Sequence, residues 1–99
     1  MTATILGWYN GDWGLADALN IPLSDRGLQL ADGLFETVLI LEGTPQLLTE
    51  HLQRWQCSAA LLGMAAPPGR LWLEPLLDEG ITRAGLKVAD TTGAMRLNW

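Results

Sequence analysis

Apolar and polar positions change period several times along the chain, and each change marks a predicted element. Ile5 to Tyr9 is a short apolar run that reads as a strand, followed by a turn at Asn10-Gly11-Asp12. Asn-Gly is a strong hairpin signal because both residues tolerate positive φ. Trp13 to Leu19 fits no single period, and Asn20 to Gly27 is a loop by its Pro, Ser, Asp and Gly content. Leu28 to Asp32 leads into a turn at Asp32-Gly33. Leu34 to Leu41 is the clearest strand, β-branched and apolar on both faces towards its end, which predicts burial on both sides. Glu42-Gly43-Thr44 turns the chain, and Pro45 to Leu48 returns as the partner strand.

The period then becomes helical. Thr49 is placed to cap a helix that begins at Glu50, whose acid lies near the positive end of the dipole. Leu48, Leu52, Trp55, Ala59 and Leu62 form one apolar stripe, and Gly63 with Pro67-Pro68 stops it. A second helix runs from about Arg70 to Ala84, with Leu71, Leu76, Leu77 and Ile81 as core candidates. Pro75 falls in its second turn and is expected to kink it. Gly93 to Trp99 alternates Met95, Leu97 and Trp99 against Ala94, Arg96 and Asn98, a strand with one apolar face. The sum is an α+β chain, with antiparallel strands packed by two helices.

At 99 residues, one domain is the prior. Apolar residues make up 48% of the chain, which excludes a disordered tail. The net charge of −5 argues against nucleic acid, because six scattered cations make no phosphate-binding patch. No apolar run reaches the length of a membrane span, and Met1-Thr-Ala-Thr does not open a secretion signal. A cytoplasmic protein is expected. The single Cys57 and single histidine supply neither a disulfide nor a zinc site. Charged residues are only 17%, which leaves more apolar surface than a monomer of this size can hide. Such a chain oligomerises or belongs to something larger.

One charge stands out. Glu36 shares a strand face with Val38 and Ile40, so its carboxylate needs a cationic or hydrogen-bonding partner. His51, Arg54 and Ser58 lie within about 60° of one another on the flank of the first helix's apolar stripe. A strand, turn, strand and helix in that order can bring this flank to Glu36. The alternative is that Arg54 and His51 are solvated and Glu36 lies at the exposed end of its strand.

The stretch Ser24-Asp-Arg-Gly-Leu-Gln-Leu-Ala-Asp-Gly-Leu-Phe-Glu-Thr37, followed by Glu42-Gly-Thr-Pro-Gln-Leu-Leu-Thr-Glu-His-Leu-Gln-Arg-Trp55, closely resembles the N-terminal domain of class IV (fold type IV) pyridoxal-phosphate enzymes. That family includes branched-chain and D-amino-acid aminotransferases and 4-amino-4-deoxychorismate lyases. The pattern Asp-Arg-Gly, Asp-Gly-x-Phe-Glu, hairpin, His-Leu-x-Arg covers Ser24 to Leu62.

The resemblance implies that residues 1–99 are the small two-layer N-terminal lobe of such an enzyme, without its C-terminal domain. It implies pyridoxal 5'-phosphate as cofactor, with Arg54 on the phosphate and His51 and Glu36 supporting Arg54. Phe35 would face the substrate pocket, where D-amino-acid aminotransferases carry a tyrosine. No catalytic residue is assigned here, because the Schiff-base lysine of the family would lie beyond residue 99. Lys87, the one lysine present, stands in the wrong place in the family order. Asp25, Arg26, Asp32 and Gly33 read as architectural. The implied partners are a small amino substrate, the missing lobe and a second copy in a homodimer. The expected reaction is that of an aminodeoxychorismate lyase, giving 4-aminobenzoate and pyruvate for folate synthesis. The alternatives are an amino-acid aminotransferase or a non-catalytic α+β binding module.

Overall fold

The computed structural model describes residues 5–99. Met1 to Thr4, where no secretion signal is read, lie outside the described residues. The chain divides into two compact units, Met1–Asp32 and Gly33–Trp99.

In the first unit, β1 (Leu6–Tyr9) and β2 (Asp12–Leu15) form an antiparallel hairpin with Trp8 opposite Trp13. Asn10 and Gly11 make the two-residue turn, at φ 48° and 98°. The segment without a clear period thus divides between β2 and a short 3-10 turn at Ala16–Ala18. A short helix, α1 (Arg26–Leu30), begins inside the predicted loop. The Asp25 carboxylate accepts the Leu28 amide hydrogen at 3.1 Å, which is an ordinary N-cap. Arg26 pairs with Asp32 rather than with its neighbour Asp25: its Nε lies 2.7 Å from Asp32 Oδ2.

The second unit contains β3 (Phe35–Leu41), β4 (Thr44–Pro45), α2 (Leu48–Leu61), α3 (Arg70–Arg83) and β5 (Thr92–Asn98). The sheet is antiparallel, in the order β4-β3-β5, with Glu36 opposite Leu97 and Val38 opposite Met95. Leu48, Leu52 and Trp55 of α2 pack with Leu73 and Leu77 of α3 and Leu97 of β5. Val38 and Ile40 pack with Ile81, and Met95 touches both groups. This is the expected small α+β arrangement, a sheet with two helices.

Several expectations are corrected. β3 is not buried on both sides: Val38 and Ile40 are inside, while Phe35, Leu39 and Leu41 are exposed. The core of the unit forms against one face of the strand, and the period of two sends alternate residues to the other. The return strand stops at Pro45, because Leu47 takes a left-handed conformation (φ 54°) and starts α2 at Leu48. Thr49 does not cap α2; its Oγ1 accepts a 2.6 Å hydrogen bond from Arg70 Nη1. Leu62 lies beyond the end of α2 and is exposed.

In α3 the buried positions are Leu73, Leu77 and Ile81, whereas Leu71 is 92% exposed and Leu76 half-buried. Three consecutive apolar residues at 71–73 left the phase of this helix ambiguous, and packing selects the series spaced by four. Pro75 sits inside α3 without ending it. Trp99 is partly exposed, yet its ring meets Trp55 edge-on at 6.3 Å and 70°. Its Nε1 donates to the Ala65 carbonyl at 2.8 Å. Gly33 stands close to the end of the chain, where an added Cβ would lie 3.2 Å from the Trp99 carbonyl oxygen.

Candidate functional site

β3 places Glu36 on the helix-covered face of the sheet, where the residue is only 7% exposed. α2 presents His51 and Arg54 to it from consecutive turns. Arg54 donates from Nε to Glu36 Oε2 at 2.9 Å and from Nη2 to Oε1 at 2.7 Å. His51 Nδ1 lies 2.7 Å from the same Oε1. An ionised carboxylate only accepts, so Nδ1 carries the shared hydrogen. The buried carboxylate thus has three charge-assisted or polar bonds, which is what its position on an apolar face requires.

The structure therefore brings Glu36, His51 and Arg54 together, choosing between the two arrangements that the strand and helix periods left open. Ser58, on the same helical flank, is half-buried and takes no part in the bonds to Glu36. The Arg54 side chain is 66% exposed. One nitrogen, Nη1, and the second Nη2 hydrogen have no acceptor among the described residues. Glu36 consequently fixes the guanidinium plane from the buried side while the other edge faces outward. Two surface hollows lie elsewhere, one against Glu74 and Asp78 and the other beside Gln53 and Gln56, and none of these site residues lines them.

Hydrogen bonds from Arg54 are the main cause holding the Glu36 carboxyl below its ordinary range; burial opposes this and His51 reinforces it. The same bond raises the Arg54 guanidinium further above neutrality. A carboxyl depressed in the folded chain stabilises it above the unfolded value of about 4.3. That contribution is lost as pH falls through the lower folded value. Thermal unfolding followed from neutral to acid pH is expected to show a shallower acid decline in Glu36→Gln than in the native chain. Parallel declines would remove this carboxyl from the acid response.

Phe35 points to the other face of β3 and is 55% exposed. The Arg96 guanidinium carbon lies 3.9 Å from the centroid of its ring. Arg96 Nε also donates to Asn98 Oδ1 at 2.9 Å. This pair was missed by the sequence reading. Alternation placed Arg96 on the polar face of β5, but only the register, with Arg96 opposite Thr37, sets it diagonally across from Phe35. Glu36 and Phe35, adjacent in sequence, therefore serve opposite faces of one strand. Lys87 is exposed, with Nζ 2.6 Å from Asp78 Oδ1.

Comparison with known proteins gives this geometry its relatives. Residues 33–99 match the amino-transferase class IV family. A D-alanine aminotransferase from Listeria innocua is 34% identical over 59 residues, which cover 60% of this chain and 20% of that protein. Among solved structures, a hypothetical aminotransferase from Mycobacterium tuberculosis in its PLP-bound form is 29% identical. It superposes with a TM-score of 0.76 over 90% of this chain and 31% of its own. A fold IV transaminase from Curtobacterium pusillum is 32% identical, with a TM-score of 0.63 over 87% of this chain and 30% of its own. The chain thus spans a fifth to a third of the length of these relatives. Because the family match runs through β3, both helices and β5 and includes Glu36, His51 and Arg54, the chain belongs to the class IV aminotransferases.

Proposed function

We propose that these residues form the small lobe of a pyridoxal-phosphate-dependent aminotransferase and that Arg54 binds the cofactor's phosphate. The observation that carries this reading is the half-used guanidinium. Arg54 is anchored by a buried carboxylate through Nε and Nη2, and its remaining N–H groups lie on a largely exposed side chain. A phosphate monoester offers several strong acceptor oxygens and nearly two negative charges, so a forked donor held in one orientation suits it. Pyridoxal phosphate is the cofactor of the class IV family, and the Arg54 donor set fits its phosphate.

In this reading Arg54 binds and orients the phosphate, while Glu36 and His51 hold Arg54. Phe35, with Arg96 across its ring, presents an apolar surface with a cation to the substrate side. When bound, the cofactor supplies an electron sink for the pair released at the substrate's α-carbon. This reading requires a lysine that moves the proton of that carbon, and we place it outside residues 1–99. Lys87 is unsuited to it, being exposed and paired with Asp78. The second lobe and a second copy of the chain are the proposed cover for exposed Leu39, Leu41 and Leu71. A cytoplasmic setting belongs to the same proposal.

The three relatives named above are aminotransferases, so transamination takes precedence over the lyase reaction expected first. The lyase remains the second reading because Phe35 lacks the hydroxyl found there in D-amino-acid aminotransferases. The test uses the longer protein, loaded with pyridoxal phosphate and supplied with D- or L-amino acids and a 2-oxo acid. Conversion of amino acid to its 2-oxo acid, with a new amino acid formed, is the expected result. Release of 4-aminobenzoate from aminodeoxychorismate without amino transfer would establish the lyase instead. Absence of both reactions in cofactor-loaded protein would leave the binding-module reading.

A further inference from the structure

We propose that the Asn10-Gly11 turn of the β1–β2 hairpin is a deamidation site whose chemistry the fold restrains. This inference is independent of the aminotransferase reading. The two residues are exposed and lie between Tyr9 and Asp12, which pair directly across the hairpin. Both have positive φ, 48° and 98°, which is the type I′ turn that suits right-handed strand twist.

The reaction joins neighbouring groups. The Gly11 backbone nitrogen attacks Asn10 Cγ, forming an N–Cγ bond as the Cγ–Nδ2 bond breaks. The side-chain nitrogen leaves as ammonia and takes up the hydrogen lost from the Gly11 amide. Water then adds to one of the two carbonyls of the five-membered imide, opening it to aspartate or isoaspartate. Nothing is oxidised or reduced. Gly11 favours this step because no Cβ shields its nitrogen. The type I′ turn opposes it, because closing the ring requires the Asn10 backbone to rotate out of the turn conformation.

Opening of the hairpin must therefore precede reaction, and two-stranded ribbons open at low cost. Isoaspartate would add a methylene to the main chain inside a two-residue turn and a negative charge beside Asp12. The Trp8–Trp13 pairing cannot keep its register through that insertion.

The full chain is incubated in warm, mildly alkaline buffer, natively and in guanidinium chloride. Peptide mapping by mass spectrometry follows replacement of the amide by a carboxyl at residue 10, and enzymatic isoaspartyl methylation identifies the product. Denatured chain is expected to convert at least ~10-fold faster than native chain, because ring closure waits on local opening. Trp13→Ser, which weakens the hairpin and leaves the turn residues intact, is expected to fall between them. Equal native and denatured rates would overturn the restraint, and no conversion in denatured chain would overturn the site. An isoaspartyl methylation signal undiminished in Asn10→Gln would show that the product forms at another asparagine instead and would also overturn the site.

Discussion

Arg54→Ala in the cofactor-binding protein is expected to weaken pyridoxal phosphate binding by about 10- to 100-fold, the scale of losing charge-assisted hydrogen bonds to phosphate. Spectroscopic titration with the cofactor measures it. Arg54→Lys is expected to recover only part of the affinity: an ammonium keeps the charge but cannot span both Glu36 oxygens while presenting a second planar edge outward. Glu36→Gln tests the same arrangement from its buried side. Arg54 keeps its charge but loses the ionic anchor, so affinity should fall by less than in Arg54→Ala. His51→Ala removes one bond to Glu36 and leaves both Arg54 bonds, and its effect should be the smallest of the set. Cofactor affinity unchanged in Arg54→Ala would withdraw the phosphate assignment while leaving the family membership, which rests on residues 33–99, untouched.

Trp55→Ala is expected to destabilise the chain by about 3–5 kcal/mol, the usual loss for deleting a buried aromatic side chain. Trp55 is 3% exposed and joins α2 to Leu73, Leu77 and Leu97, so its removal opens a void where α2, α3 and β5 meet. For a domain of this size, a loss of 1 kcal/mol lowers Tm by about 4–8 °C, so thermal unfolding by circular dichroism should register a large shift or a chain already unfolded. Trp55→Phe separates two causes. The Trp55 Nε1 is buried without a hydrogen-bond acceptor among the described residues. Its edge-on contact with the Trp99 ring offsets only part of that cost. Phenylalanine keeps most of the apolar volume and removes the orphan donor, so its loss should stay below about 1.5 kcal/mol. Equal losses for Ala and Phe would show that the indole is held by something other than volume.

Periodicity along the chain nominated the partners of Glu36 for a simple reason, without deciding whether they meet. A carboxylate between Leu34 and Val38 on a strand must find a partner, and one helical turn separates the two basic side chains able to serve it. The spacings follow from the fixed repeats of strand and helix, whereas packing decided that Glu36 lies on the covered face of β3. The stripe of Leu48, Leu52, Trp55 and Ala59 was legible on the same basis. The Asp25 cap on α1 carried a local signal as well, but five residues are too few for a period to appear.

Packing decided the remainder. Local sequence could not choose between Leu71 and Leu73, because both are leucines in one apolar run and only contact with β5 and α2 distinguishes them. It could not show that β3 has one covered face, since Leu39 and Ile40 are equally apolar and coverage depends on the side the helices occupy. Nor could it place Arg96 over Phe35, which are 61 positions apart in numbering and meet through the register of two strands. Short-range order is written into spacing because backbone repeats are universal. Which face is buried and which distant residues meet are properties of the assembled layers, and they arise when helices and sheet exclude water together.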